Sequence, residues 1–205
     1  METIKKEIEL RAEIPTEEFR VIESKLTSKL PLISSDNRLS VLFLGSIGEN
    51  KYDIRVRINS DKYSEVVVKC GDFHAHNRTE IIQPIDPKQF IGFIKIFWTF
   101  GFNSKVMKRE TKRFFSKEEQ YEVALVSAKN ISYIEIEKVL EIEDEKRVNF
   151  ESDKLKVILN NFGLTPIGKE QFDDLCRRLT SKVDWVFSGS DEDYVRLESE
   201  LKLFE

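Results

Sequence analysis

Cysteine is scarce in this sequence. Among 205 residues there are two, Cys70 and Cys176, far apart and outside any CxxC or metal-ligand spacing. Neither a disulfide framework nor a cysteine-based zinc site is therefore expected, and a reduced, cytoplasmic protein is the simplest account. Histidine is equally sparse: His74 and His76 lack a supporting cysteine or carboxylate cluster and read as solvated loop residues rather than metal ligands. No apolar run approaches a membrane span. The longest, Phe90 to Phe102, is interrupted by Gly92, Lys95 and Gly101 and reads as a packed helix. The charged start, Met1 to Lys6, leads into no hydrophobic segment, so no signal peptide is expected. A phosphate-binding glycine loop is missing too, Ser188-Gly189-Ser190 being an ordinary loop. Nor is there an excess of one charge. With a net charge of −4, general attraction to nucleic acid or an anionic membrane is not expected, and any phosphate binding must come from local clustering.

What is present is a real core and strong alternation. Forty per cent of residues are hydrophobic and 15 are phenylalanine, which supports a folded domain. The length suits one well-buried domain over residues 1–182, with 183–205 as a helical extension packed on it. Tyr194, Leu197, Leu201 and Phe204 share one side of that extension, so a monomer or a homodimer is expected. Two stretches alternate acid and aliphatic with a period of two: Glu7-Ile8-Glu9-Leu10-Arg11 and Tyr133-Ile134-Glu135-Ile136-Glu137. In strands, that spacing puts Glu7, Glu9 and Arg11 on one face and Ile8 and Leu10 on the other; Glu135 and Glu137 likewise share a face. Between them, Tyr52 to Ile58 places Arg55 and Arg57 opposite Ile54, Val56 and Ile58.

Taken in order, a strand over about Ile4–Ile14 stops at Pro15, and Thr16 offers an N-cap for a helix ending near Pro31. Strands follow near Leu39–Leu44, with a turn at Gly45–Gly48, then at Tyr52–Ile58, Val66–Lys69 and Asn77–Ile82. Pro84, Asp86 and Pro87 introduce a central helix that Gly101 closes. Strands over Lys105–Arg113, Gln120–Val126 and Ile131–Ile142 come next, then helices near Asp153–Phe162, Lys169–Leu179 and Glu192–Leu203. The expected architecture is α+β: an eight-stranded antiparallel closed barrel, its lumen charged and its helices packed outside.

Glu7, Glu9, Glu135 and Glu137 are hard oxygen donors suited to Mg²⁺ or Mn²⁺. Arg55, Arg57, Lys69, Arg78, Lys108 and Arg109 are cations suited to phosphate, arginine through its forked donors. Together they point to a divalent metal beside a polyphosphate. The same residues, in the same order, resemble the CYTH superfamily of triphosphate tunnel metalloenzymes. Glu7-x-Glu9-x-Arg11 looks like the family's ExExK opening, and Arg55-x-Arg57, Lys69 and Arg78-x-Glu80 follow in sequence. A helix ending in Gly101-Phe102 precedes Val106-Met107-Lys108-Arg109-Glu110, which is similar to a stretch of the class IV adenylyl cyclases. Tyr133-Ile134-Glu135-Ile136-Glu137 matches the closing FxEIE element. The resemblance implies catalytic roles for Glu7, Glu9, Arg11, Glu135 and Glu137, metal held by the four glutamates, and substrate gripped by the basic strands.

The implied activity is metal-dependent, class IV cyclase-like conversion of ATP to cyclic AMP and pyrophosphate. The alternatives are hydrolysis of tripolyphosphate, thiamine triphosphate or a nucleoside or RNA 5′-triphosphate, and binding of a polyphosphate or nucleotide without turnover. Three departures stand out. Arg11 replaces lysine, and Met107 sits where many members carry lysine. Leu125-Val126 lies where an aspartate is usual, and Glu122 replaces it only if the strand register differs. The basic run Lys105–Arg113, flanked by Phe102, Phe114 and Phe115, also suits single-stranded RNA, although those aromatics fit a core equally well.

Overall fold

A computed structural model describes residues 5–71, 79–141 and 145–204. In chain order the strands are β1 (Lys5–Ile14), β2 (Leu32–Ile47), β3 (Asn50–Asn59), β4 (Ser64–Cys70), β5 (Thr79–Ile85), β6 (Asn103–Ser116), β7 (Tyr121–Ala128), β8 (Ile131–Glu141) and β9 (Trp185–Val186). The helices are α1 (Phe19–Lys29), α2 (Phe90–Trp98), α3 (Glu145–Asn161), α4 (Lys169–Ser181) and α5 (Asp191–Leu201). The fold is α+β around an antiparallel sheet of order β1-β8-β7-β6-β2-β3-β4-β5, with β9 added on β6. Among the described residues β1 and β5 end this order without pairing to each other, so hydrogen bonding does not close the sheet into the expected barrel. The chain divides into two compact units: Met1–Ser35 with Glu110–Leu179, and Asp36–Arg109 with Thr180–Glu205.

In the first unit, alternation along β1 buries Ile8, Ala12 and Ile14 in a core with Ile134 and Ile136 of β8 and Val123 and Leu125 of β7. Ile22 and Leu26 of α1 and Leu155 and Leu159 of α3 cover this face. Each fully buried aliphatic side chain of this kind contributes roughly 1.5–3 kcal/mol. The opposite face also has a helix. Leu175 of α4, with Ile167, Phe172 and Leu179, packs on Ala124, Val126, Ile131 and Tyr133. β7 is thus buried on both sides, which explains its nearly continuous apolar sequence. Helices were expected outside a charged lumen, whereas α4 packs on the sheet face that carries Glu9, Arg11 and Glu135.

In the second unit, β2 and β3 bury Leu39, Val41, Phe43, Ile54, Val56 and Ile58 against Phe90 and Ile94 of α2. Trp185, Phe187, Leu197 and Phe204 complete that core, so the last helical segment is integral to it. Asp86 opens the α2 region with a capping box, accepting from the Lys88 N–H at 2.9 Å while Gln89 accepts from the Asp86 N–H at 3.4 Å. Thr16, by contrast, is not a cap; Pro15 takes the position before the first turn. β2 continues through Gly45, where the Phe102 ring lies over the strand and leaves no room for a side chain: a Cβ there would stand 2.1 Å from the ring. The chain reverses instead at Gly48, in the left-handed region at φ 59°.

Candidate functional site

The first unit carries an acidic face with its own cations. Strand register aligns Glu9, Glu137 and Glu122 across three neighbouring strands. The next row is Arg11, Glu135, Ala124 and Arg113, and the third sets Glu13 against Tyr133 and Val126. Like charges directly opposite each other destabilise a sheet unless neutralised. Arg11 does this for two of them: its Nε donates to Glu135 Oε1 at 3.0 Å and its Nη2 donates to Glu9. Burial works against its charge, but Glu135 and Glu9 outweigh that and raise its pKa above the ordinary value. The Phe172 ring centroid of α4 lies 4.3 Å from the guanidinium. Arg113 donates to Glu122; burial opposes its charge, while Glu122, Glu137 and Glu135 hold it and raise its pKa. Arg178 of α4 forks onto Glu13, with both bonds 2.6 Å, and reaches Asp174 at 2.8 Å.

The second unit carries the basic face, and this face is not purely basic. On the side of β3 away from the α2 core lie Asp53, Arg55 and Arg57, beside Glu65 and Lys69 of β4 and Glu80 of β5. Arg55 forks onto Asp53 at 2.8 and 2.7 Å, Arg57 donates to Glu65 at 3.2 Å, and Lys69 pairs with Glu80 at 2.7 Å. Three cations thus meet three carboxylates, so the residues expected to grip phosphate are engaged within the sheet. Asp53 is 3% exposed, and Leu42 and Val67 on the same face are fully buried. Burial, then the neighbouring charge of Arg55, push the pKa of Arg57 below its ordinary value, with Glu65 and Asp53 only partly compensating.

Of the sequence-predicted residues, Glu9, Arg11, Glu135 and Glu137 come together on one face, and Arg55, Arg57 and Lys69 on another. Lys108 joins neither. It shares the strand face of buried Val106, and its Nζ donates to Glu200 of α5 at 2.7 Å. Arg109, the next residue on β6, points to the other side. The side chain of Glu7 and the whole of Arg78 lie outside the described residues, as do His74 and His76. Sequence reasoning missed Asp53, Glu65, Arg113 and the Glu13–Arg178 pair. Spacing along the strand was a sufficient signal for the first two: Asp53 lies two residues before Arg55 and Glu65 four before Lys69, so each shares that residue's face. Glu122, two positions from Ala124 on β7, does share the face of Glu137.

The metal donors have the right chemistry, but their arrangement does not fit a divalent ion as it stands. Among the described residues no three His, Cys, Asp or Glu side chains group to hold a metal, and Arg11 lies between Glu9 and Glu135. Two clefts of about 450 and 470 Å³ in the first unit flank the Glu118–Tyr121 turn, and neither is lined by Glu9, Arg11, Glu122, Glu135 or Glu137.

No family model matches the sequence, and no curated protein matches it. Solved structures do match in fold. The PH1819 protein of Pyrococcus horikoshii aligns with TM-score 0.52 and 16% identity over 80% of this chain and 94% of its own. A conserved hypothetical protein of Pyrococcus furiosus gives 0.53 and 14%, covering 78% and 92%. The PH1012 protein of Pyrococcus horikoshii gives 0.52 and 16%, with the same coverage as the furiosus protein. At these identities the likeness is one of fold alone.

Proposed function

We propose that this chain binds a triphosphate on the β3–β4 face and processes it by CYTH-type chemistry. The observation that carries the reading is the pair Arg55 and Arg57, adjacent on one strand face and largely buried, with side chains 23% and 12% exposed. Two desolvated guanidiniums repelling each other favour an anion, and a phosphate with several oxygens accepts from both forks. Lys69 adds a third donor at the β4 position opposite Asp53. Asp53, Glu65 and Glu80 hold these cations in the free protein, so the anion must displace carboxylates to bind.

The CYTH resemblance implies that the glutamates of β1 and β8 hold the metal. The resemblance also supplies the reaction: cyclase-like conversion of ATP, with hydrolysis of a triphosphate as the related outcome. The second reading, binding without turnover, is favoured by one observation, the engagement of Glu9 and Glu135 by Arg11. Incubation with ATP, thiamine triphosphate or tripolyphosphate plus Mn²⁺, followed by product separation, tests all of these. Cyclic AMP with pyrophosphate supports the cyclase; orthophosphate supports hydrolysis; a raised melting temperature without product supports the binder. No thermal shift and no product with any of the three would refute triphosphate recognition.

A further inference from the structure

We infer that the exposed side of α2, carrying Gly92, Ile96 and the following Phe100, pairs with the same side of a second copy of this chain across a two-fold axis at Ile96. Lys95 is the sole charged residue of α2, a helix otherwise apolar nearly all round. Such a helix is normally buried on every side. Phe90 and Ile94 do enter the core, yet Ile96 and Phe100 are 53% and 48% exposed.

Gly92 is the sharpest sign of a close approach from outside. Glycine inside an exposed helix costs about 1 kcal/mol relative to alanine. Here the backbone is ordinary α-helix, and a Cβ would meet no atom within 4 Å beyond its immediate helical neighbours. Neither conformation nor packing within the chain therefore requires glycine. The notch takes a knob from outside, and the same segment supplies one. The chain keeps its helical course past Ile96, with the Thr99 and Phe100 N–H groups donating to the Ile96 and Phe97 carbonyls at 3.2 Å. Gly92 and Phe100 thus lie one turn either side of Ile96, and a two-fold axis there seats the Phe100 ring of each copy over Gly92 of the other.

Charge favours like against like. Lys95 is drawn off the stripe, its Nζ 5.3 Å from the Tyr194 ring centroid on α5, and the Thr99 hydroxyl donates to the Ile96 carbonyl at 2.7 Å. An uncharged stripe suits an uncharged partner and gives an acidic peptide or an anionic lipid no cation to hold. The patch also widens onto β2: Phe97 packs on Phe43 at 5.9 Å, Phe102 covers Gly45, and exposed Ile47 follows on the same strand face. Ile47, Ile96 and Phe100, with the edges of Phe93 and Phe97, present on the order of 400 Å² of apolar surface. With a rim of Gln89, Gly92 and Thr99 the contact covers roughly 600 Å² per copy, ~1,200 Å² in all, the low end for specific interfaces. The dimer is accordingly weak and reversible, with a Kd of about 10–100 µM.

The test is sedimentation equilibrium of the purified chain, without triphosphate, between about 1 µM and 1 mM. The wild type should pass from 24.1 kDa to twice that mass. Gly92→Leu fills the notch, so its dimer should be at least about tenfold weaker, while its melting temperature is equal or higher because leucine favours the helix and the monomer has room for it. Ile96→Glu, at an exposed position, should stay monomeric throughout, and it decides the matter if Gly92→Leu folds poorly. A wild type that remains monomeric, a Gly92→Leu or Ile96→Glu variant that dimerises as well as the wild type, or an assembly that grows beyond two would overturn the inference. So would binding of the monomer, but not of Ile96→Glu, to phosphatidylglycerol vesicles, which would give the face to a membrane.

Discussion

Replacing Glu65 by glutamine separates the stability of the basic face from its affinity for anions. Glu65 lies directly across from Arg57 and accepts from its Nη1 at 3.2 Å, the side chains being 15% and 12% exposed. Glutamine keeps the shape and removes the charge. A hydrogen bond to a charged group contributes ~1.5–3 kcal/mol; the length here puts this one at the weak end, so a loss of ~1–2 kcal/mol is expected. The three-pair face moves from neutral to a net charge of +1, and Arg57 is released toward a phosphate oxygen. An affinity gain of about tenfold for tripolyphosphate then corresponds to ~1.4 kcal/mol. Urea unfolding reads the first effect, and calorimetric titration at low and high salt the second; the gain should shrink as salt screens the face. A variant that is less stable and also binds tripolyphosphate more weakly would refute the reasoning, because Glu65 would then be part of the anion site rather than a competitor for Arg57.

Two further outcomes are expected. Gly45→Ala should cost ~1–3 kcal/mol through overpacking against Phe102, whose ring the new Cβ would meet at 2.1 Å. The cost should shrink when Phe102→Ala is combined with it, and simple additivity in chemical denaturation would argue against the contact. Glu151 is buried, and its hydrogen bond from Lys138 at 2.7 Å, outweighing desolvation, lowers its pKa below the ordinary 4.5. A depressed carboxylate stabilises fully above its unfolded pKa and loses that contribution as pH falls through the folded one. Glu151→Gln should therefore flatten the melting temperature's fall below about pH 4.5, and an unchanged acid limb would contradict this.

The strands were legible because their alternation is strict. Along Ile8 to Ile14 and Ile134 to Ile136 every second side chain packs into the core, Leu10 only partly buried, as the period of two requires. Faces could be read in the same way, so Glu9 with Arg11, and Arg55 with Arg57, fell together correctly. Pairing between strands could not be read. Glu65 becomes the partner of Arg57, and Glu122 the neighbour of Glu137, only through register, which depends on the turns and on contacts distant in sequence. The path of α4 was hidden for a related reason: Phe172, Leu175 and Leu179 announce a buried stripe but not which sheet face receives it. Gly45 read as a turn because nothing in the sequence shows which glycine takes the left-handed backbone, here Gly48, and which lies in a strand beneath a ring, here that of Phe102.

The contribution of Trp185, Phe187, Leu197 and Phe204 to a core otherwise drawn from residues 39–106 bears on how the chain is made. On the ribosome, Phe43, Phe90 and Ile94 emerge long before the side chains that cover them. Roughly 80 residues separate Val106 from Trp185, which at about 5–20 residues per second is a delay of roughly 4–16 s. During that interval the second unit has no complete core, and its apolar surface is open to chaperones or to neighbouring nascent chains. Slowing translation after residue 110 should therefore lower soluble yield even though no contact in the finished protein has changed.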